Sequence, residues 1–310
     1  MKKVIFIINP IYGINRNPDR VIQWIDESWK DAGISYDIIR TDHRGHGIEL
    51  ARAAADAGVD MVVAAGGDGT INEIGQGLIG SDTALGVIPA GSGNGFARNV
   101  NIPLNQRQAI EGLKNPRFHK FDVGKINDYY FFNVAGAGVD ANISHRFDNS
   151  TIRGPVPYFI VGVQEYFRFK PEQVVIELAD REIERSPVLL SFANLPEFGV
   201  NATIAPNARP DDGLLDICIL SPVKFRKALV NLPKLFNGRI DQLSEMEIYQ
   251  TRKVVIHRFS GGPIHTDGDP HDAASTLTVE VLPQAVRIAL PSEEFSTPRR
   301  KRRRDRAAAV

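Results

Sequence analysis

The stretch MVVAAGGDGTINEI, residues 61–74, decides the fold of this 310-residue chain. Residues 61–65 form a continuous apolar run, which is typical of a β-strand covered on both faces. Residues 71–79 are predicted to form a helix, and three glycines stand between the two elements, at Gly66, Gly67 and Gly69. Glycine permits backbone conformations that other residues rarely adopt, so the sequence predicts a tight turn from strand to helix.

The same alternation of strand and helix is predicted through the first 120 residues. Strands are predicted at 4–8, 35–39 and 85–88, and a helix at 49–57. Another helix is indicated by Val21, Ile25 and Trp29, which recur every four residues. Strand–helix alternation with short loops is typical of a parallel, doubly wound sheet. Ligands of such sheets bind beyond the carboxyl ends of the strands, where the glycine-rich turn falls.

The type and spacing of the predicted elements change after residue 126. Short strands are predicted at 129–134, 174–178, 188–192, 214–220, 254–259 and 277–282, with helices near 158–167 and 224–235. This spacing favours a second, mainly antiparallel β-rich domain. We therefore predict a nucleotide-binding α/β domain at 1–125 and a substrate domain at 126–283. A final strand within 284–293 is predicted to return to the first domain.

The composition of the chain narrows the classes of protein to which it could belong. The chain is 43% hydrophobic and 24% charged with zero formal net charge, as in an ordinary folded protein. Cys218 is the only cysteine, which suits a reducing cytoplasm and excludes an intramolecular disulfide. No apolar run reaches the roughly 18 residues of a membrane span.

A basic run, RRKRRR at 299–304, lies in a tail predicted over 294–310. Such a run is interpreted as a solvated tail, with an anchor on anionic lipid as the functional alternative. Nucleic acid is not expected as a partner, because no aromatic residues alternate with these charges.

The first glycine-rich turn predicts a phosphate site. The helix that follows it offers unpaired N–H groups and the positive end of its dipole. Asp68 stands among the glycines, where a carboxylate that faces phosphates needs a cation between them. We therefore predict that Asp68 binds Mg²⁺ or acts as a base. The alternative is that Asp68 only caps a helix.

A second glycine-rich turn, PAGSGNG at 89–95, follows the next strand. Such a loop is weak evidence alone, but two of them at the ends of consecutive strands form one rim. The chain lacks the phosphate-binding loop of P-loop enzymes and the motif set of protein kinases. It also lacks a glycine fingerprint after the first strand, which disfavours an ordinary NAD-dependent oxidoreductase.

Six stretches together resemble the diacylglycerol kinase catalytic-domain family of lipid kinases, which includes sphingosine kinases and is distantly related to NAD kinase. They are Asn9-Pro10, GGDGTINEI at 66–74, PAGSGNGFARN at 89–99, FFNVAGAGVDA at 131–141, APNARPDDGLLD at 205–216 and HTDGDP at 265–270. The first glycine-rich motif is shared with NAD kinases, whereas the second and the later segments favour lipid kinases.

The resemblance implies a fold and a set of site residues. The fold would be an NAD-kinase-like doubly wound parallel sheet domain plus a mainly antiparallel β-sandwich domain, with a cleft between them. ATP would be held by Asn9, Gly66, Gly67, Asp68, Gly69, Thr70, Gly91, Ser92, Gly93 and Asn94. The catalytic carboxylates would be Asp68, Asp269 and Asp122, and the lipid would be bound near Asp140 and Arg146. For Asp122 and Asp140, the alternatives are a backbone-satisfying role at a domain junction and a strand-end cap.

The sequence departs from the family pattern at three places. Asp269 stands where many bacterial members have glutamate, so the side chain is one methylene shorter. Gly95 stands where many diacylglycerol kinases have an aspartate, and in this respect the chain resembles the sphingosine kinases of the family. A structural Mg²⁺ of some bacterial members would use Asp212 and the Leu214 carbonyl, but the third position is Arg209.

These observations predict an ATP-dependent, Mg²⁺-requiring lipid kinase that acts on diacylglycerol or a sphingoid-base-like lipid. It would be cytoplasmic and would contact the inner face of the membrane transiently, as a peripheral protein. A homodimer is left open. The alternatives are a nucleotide- or lipid-binding regulatory protein on the same scaffold, and a kinase of a soluble substrate related to NAD kinase.

Overall fold

The computed structural model describes residues 1–11, 17–139, 169–199 and 202–295. Its first half alternates strands and helices: β1 (Lys3–Ile8), α1 (Pro18–Trp29), β2 (Ser35–Arg40), α2 (His46–Asp56), β3 (Met61–Gly66), α3 (Asp68–Leu78), β4 (Ala84–Pro89), α4 (Gly95–Asn99) and α5 (Gln106–Gly112). The four strands pair in parallel in the order β2-β1-β3-β4. The predicted doubly wound arrangement is confirmed.

The second half is built mainly from strands: β5 (Arg117–Ile126), β6 (Tyr129–Phe131), β7 (Val134–Gly138), β8 (Val174–Glu177), β9 (Glu182–Arg185), β10 (Leu189–Ala193), β11 (Leu215–Leu220), β12 (Met246–Thr251), β13 (Lys253–Arg258), β14 (Gly262–Thr266), β15 (Asp269–Ala273) and β16 (Thr276–Leu290). One helix, α6 (Phe225–Phe236), follows β11. An antiparallel sheet of order β12-β11-β10-β7-β14-β15 forms one layer of the sandwich. Its buried side chains, including Phe192 and Ile217, share one core with Val254 and Val279 of the other layer.

The strand β16 joins the two halves of the molecule. Its first part pairs with β13, and its last part lies parallel to β4, where Arg287 and Ile288 pair with Ala84 and Leu85. A break in register between Leu282 and Val286 bends the strand between these two surroundings. The sequence predicted two separate strands here. The predicted domain boundary at residue 125 falls inside β5, which pairs with β16 along both parts.

Two element boundaries differ from the prediction, and both differences matter for the site. Helix α3 begins at Asp68, three residues earlier than predicted, because Ile71 N–H already donates to the Gly67 carbonyl oxygen at 3.0 Å. The predicted strand 129–134 is interrupted after Phe131. The predicted helix at 158–167 lies outside the described residues. Among the helices of the described ranges, none has the length and apolar character needed to cross a bilayer.

Candidate phosphate-binding cleft

The two glycine-rich turns touch each other at the carboxyl edge of the parallel sheet. β3 and β4 end side by side, with Gly66 paired to Pro89, and Ala90 N–H donates to the Gly66 carbonyl oxygen at 2.8 Å. A Cβ atom added at Gly91 would lie 2.6 Å from the Gly67 Cα atom, which is closer than side chains approach backbone. Glycine at position 91 is therefore required by the packing of one turn on the other, and a Cβ atom added at Gly67 would lie at a tight 3.2 Å from the Gly91 Cα atom. The predicted rim is a single continuous surface of backbone.

Asp68 ties the first turn to the second. Its Oδ2 atom accepts a hydrogen bond from Gly95 N–H at 2.9 Å, and its Oδ1 atom accepts one from Phe96 N–H at 3.0 Å. Burial raises the pKa of the Asp68 carboxyl above its ordinary value, against the lowering effect of these two N–H groups. The carboxylate thus faces the first turn of α4. Asp68 caps a helix, as the alternative interpretation held, but it caps α4 and not its own helix.

Side chains of the rim hold the turns in shape. Asn9 Nδ2 donates to Thr70 Oγ1 at 2.9 Å, which links the end of β1 to α3. Asn94 adopts a positive φ of 49°, and its Oδ1 atom accepts from Gly91 N–H at 2.8 Å. Ser92 is exposed at the tip of the second turn, and the Gly93 carbonyl oxygen accepts from Arg98 Nε at 3.0 Å. Most of the rim's polar side chains are therefore engaged in building it.

Asp269 stands beside the first turn, on the hairpin between β14 and β15. Its Oδ2 atom would lie 3.5 Å from a Cβ atom added at Gly69. It also faces Arg44 Nη2 at 3.7 Å, and the Arg44 side chain is 74% exposed. Arg44 follows β2 at the same edge of the sheet and was not among the predicted site residues. Its position after a parallel strand is the signal that could have found it.

Asp267 is the second residue that sequence reasoning missed. Its Oδ2 atom accepts from Asn72 Nδ2 and from Phe132 N–H, both at 2.8 Å. Its Oδ1 atom accepts from Asn133 N–H at 2.8 Å and from Val134 N–H at 3.1 Å. These bonds occupy the backbone amides where the predicted strand 129–134 is interrupted. Asp267 therefore fastens the sandwich to α3 just below the cleft.

Burial raises the pKa of Asp267 to about 6, while the N–H groups of Phe132, Asn72 and Asn133 act to lower it. The φ angles of Asp267 and Gly268 are 52° and 95°. An Asp-Gly pair between two strands is a strong hairpin signal, since the turn needs two positive φ values. That signal was present in HTDGDP.

Asp122 is placed where the alternative interpretation put it. Its side chain is 1% exposed. Its Oδ2 atom accepts from Gly213 N–H and its Oδ1 atom from Gln284 N–H, both at 2.7 Å. Gln284 lies in the bend of β16. Asp122 thus satisfies backbone groups where the two halves of the chain meet, and this geometry favours a structural role over a catalytic one.

The suggested metal position at Asp212 has weak support. Asp212 is exposed, and its Oδ1 atom accepts from Leu214 N–H at 3.0 Å. Arg209 is turned toward Asp211, with Nε and Oδ1 at 3.1 Å. Within the described ranges, no three acidic, histidine or cysteine side chains form a group that could hold a metal. Asp140 and Arg146 lie outside the described residues, as does the basic tail.

Substitution of Gly91 by alanine is expected to weaken the ATP binding that the sequence predicts at this rim by about tenfold to a hundredfold. The added methyl group must displace the backbone of Gly67, and overpacking of this kind costs about 1–3 kcal/mol. Titration calorimetry with a non-hydrolysable ATP analogue would measure the loss. Gly262→Ala is the matched control, because its Cβ atom would have 3.9 Å to the nearest side-chain atom. Unchanged affinity in Gly91→Ala would contradict a phosphate site at this contact.

Comparison with known proteins identifies two family matches along the chain. The family described as diacylglycerol kinase catalytic domain matches residues 3–126, and the YegS C-terminal NAD kinase beta sandwich-like domain matches residues 133–290. Together they span both halves of the described fold.

Individual relatives agree with this assignment. The chain is 31% identical to a YegS-like lipid kinase of Chromohalobacter salexigens, over 84% of this chain and 86% of that protein. It is 32% identical to a diacylglycerol kinase of Mycobacterium tuberculosis, over 78% and 80% of the two chains. A crystal structure of a diacylglycerol kinase from Bacillus anthracis superposes with a TM-score of 0.74 at 20% identity, covering 95% of this chain and 98% of that chain. The last likeness supports the fold alone.

Proposed function

Because the chain belongs to the diacylglycerol kinase catalytic-domain family and is a kinase of the lipid-kinase type, we propose that it transfers the γ-phosphate of ATP to a hydroxyl of a membrane lipid. The observation that carries the proposal is the contact between the glycine turns at Gly67 and Gly91, with Asp269 beside Gly69 of the first turn. Phosphoryl transfer depends mainly on positioning and on neutralising charge, and both are supplied at such a rim.

The phosphates of ATP would lie over the glycine turns. The first turn of α3 presents backbone N–H groups to them, and glycine allows the ligand to approach the backbone closely. Arg44 stands at the rim with an exposed guanidinium, which suits contact with a terminal phosphate. The Asp68 carboxylate holds α4 and the second turn in place, so we assign it a positioning role.

We assign the role of general base to Asp269. Its side chain is 47% exposed, so an acceptor hydroxyl can reach it, and it stands beside Gly69 at the start of α3. A lipid hydroxyl is a poor nucleophile, and a carboxylate within hydrogen-bond reach can accept its proton as the new bond to phosphorus forms. Asp122 is too deeply buried to contact an acceptor.

Mg²⁺ fits the donor set at the rim. Magnesium in kinases is commonly bound by one or two carboxylates together with phosphate oxygens and water. The remaining lone pairs of Asp68 supply carboxylate oxygens beside the second glycine turn, where the Asp68 Oδ2 atom would lie 3.4 Å from a Cβ atom added at Gly93. When bound, the ion would neutralise charge on the phosphates. This donor set favours Asp68 over Asp212 for the catalytic metal.

The proposal is tested by a substrate panel. We expect radiolabelled phosphate to pass from ATP to diacylglycerol or a sphingoid base in mixed micelles, with Mg²⁺ required. Transfer to NAD in detergent-free buffer would instead support a kinase of a soluble substrate. Calorimetric binding of ATP without transfer to any member of the panel would support a regulatory protein, and either result would contradict the lipid-kinase proposal.

A further inference from the structure

Helix α6 carries apolar side chains on the side that faces solvent. Leu229 is 58% exposed, Val230 is 78% exposed and Phe236 is 40% exposed. Residues 229, 233 and 236 follow the spacing of one helix face, and Pro233 on that face is exposed as well. Soluble surfaces rarely group large apolar side chains in this way unless the surface has a partner.

The opposite face of α6 is already used. Ala228 and Leu235 pack against a core cluster that contains Val223, Ile240 and Met246. The helix is therefore docked on the sandwich through one apolar side and presents a second one outward. Packing of the core explains why the first side is apolar, but it does not explain why the outward side is apolar.

Basic residues surround the outward face. The segment 224–241 contains five of them and a single acidic residue, Asp241. The basic residues are Lys224, Arg226, Lys227, Lys234 and Arg239. Lys227 pairs with Glu245, Nζ to Oε1 at 2.6 Å, whereas Lys224, Arg226 and Arg239 are exposed. Apolar side chains between cations are the composition of helices that lie in the interface of an anionic bilayer.

Helix α6 is connected to the phosphate-binding cleft through the isolated β-bridge between Glu197 and Thr203. Thr203 N–H donates to the Leu235 carbonyl oxygen at 2.8 Å. On the other side of this bridge, Asn99 Nδ2 donates to the Glu197 carbonyl oxygen at 2.8 Å, and Gly95 packs on the Phe198 carbonyl oxygen. A membrane surface bound to α6 would thus be linked to the second glycine turn through this bridge.

We propose that the outward face of α6, formed by Leu229, Val230, Pro233 and Phe236 with the cations around it, is the surface through which the protein docks on a bilayer that contains anionic lipid. The inference rests on the proposed lipid kinase only for its biological purpose, since vesicle binding can be measured without turnover. A second copy of the chain is a poorer occupant, because two such faces would bring like charges together. Nucleic acid would leave the exposed apolar side chains without a partner.

The test is sedimentation of the full chain with vesicles of phosphatidylcholine, with and without phosphatidylglycerol. Two triple variants are compared: Leu229→Ser with Val230→Ser and Phe236→Ser, and Lys224→Gln with Arg226→Gln and Arg239→Gln. We expect each to bind anionic vesicles at least about tenfold more weakly than the natural chain, since interfacial binding scales with buried apolar area and with charge near the surface. The matched controls are Leu104→Ser, which removes a 40% exposed leucine of the first domain, and Lys30→Gln with Arg52→Gln, which removes two of its exposed cations.

Equal binding of the apolar triple variant and the natural chain would overturn the proposal, as would indifference of the natural chain to phosphatidylglycerol. A change in oligomeric state of the variant, seen by light scattering without a change in vesicle binding, would assign the face to a second copy. Phosphorylation of a short-chain, micelle-free diacylglycerol separates the two proposals. If the apolar triple variant still phosphorylates this lipid but no longer binds vesicles, the result supports docking through α6. If the natural chain does not phosphorylate it, the result counts against the kinase proposal alone.

Discussion

Replacing Asp269 by asparagine is expected to lower kcat for lipid phosphorylation by about a thousandfold, since loss of a positioned general base removes about 10²–10⁴ in rate. The amide keeps the size of the side chain but cannot take a proton. Affinity for ATP is expected to change by no more than about threefold, because the glycine turns remain intact. Steady-state kinetics in mixed micelles, together with calorimetry of ATP-analogue binding, would measure both quantities.

Two further variants make this result specific. Asp272→Asn removes an exposed carboxylate of the same hairpin and is expected to leave kcat unchanged. Asp269→Glu keeps a base and lengthens it by one methylene, so it is expected to retain activity that the asparagine variant lacks. If Asp269→Asn turned over substrate at the natural rate, Asp269 would not be the base. If Asp269→Glu were as inactive as the asparagine variant, the size of the Asp269 side chain would matter and its ability to accept a proton would not explain the loss.

Replacing Asp267 by asparagine is expected to lower the free energy of unfolding by about 3 kcal/mol or more, because buried donors that lose a charged acceptor keep their full desolvation cost. Four N–H donors converge on this carboxylate, from the backbone of residues 132–134 and from Asn72. An asparagine side chain offers one acceptor oxygen and turns an NH₂ group toward the remaining donors. Denaturant unfolding at neutral pH would measure the change.

Asp272→Asn is also the control for the effect of Asp267→Asn on stability. Asp272→Asn, five residues further along the chain and exposed, is expected to change stability by less than about 0.5 kcal/mol, as surface substitutions do. Equal stability of Asp267→Asn and the natural chain would mean that the four donors find other partners. The link between α3 and the sandwich would then not depend on this carboxylate.

The parallel half of the fold could be predicted because each element carries its own pattern. β3 and β4 are buried along their whole length, so their sequences are continuous apolar runs. The positions of the two glycine turns followed directly from the strand ends. The first residue of α3 was harder to predict, because the glycine-rich residues 67–70 are typical of a loop. The hydrogen bond from Ile71 N–H to the Gly67 carbonyl oxygen shows that they already belong to the helix.

The orientation of Asp68 could not be predicted from the sequence. A carboxylate among glycines suits a cation and suits a helix cap equally well, and the partners that decide between them, Gly95 and Phe96, lie 27 and 28 residues away. Asp267 was missed for a related reason. Its donors lie up to 195 residues away in the chain, and no local pattern records a contact of that separation.

The shared strand β16 also limits how the polypeptide can be divided. A fragment that stopped at residue 126, where the first family match ends, would lose the strand that covers one side of β4. An uncovered inner strand offers a row of free peptide groups to any neighbouring chain, which is a common route to aggregation. The two regions that match separate families are therefore joined by one strand, and the parallel sheet of the first region can be completed only after β16 has been synthesised.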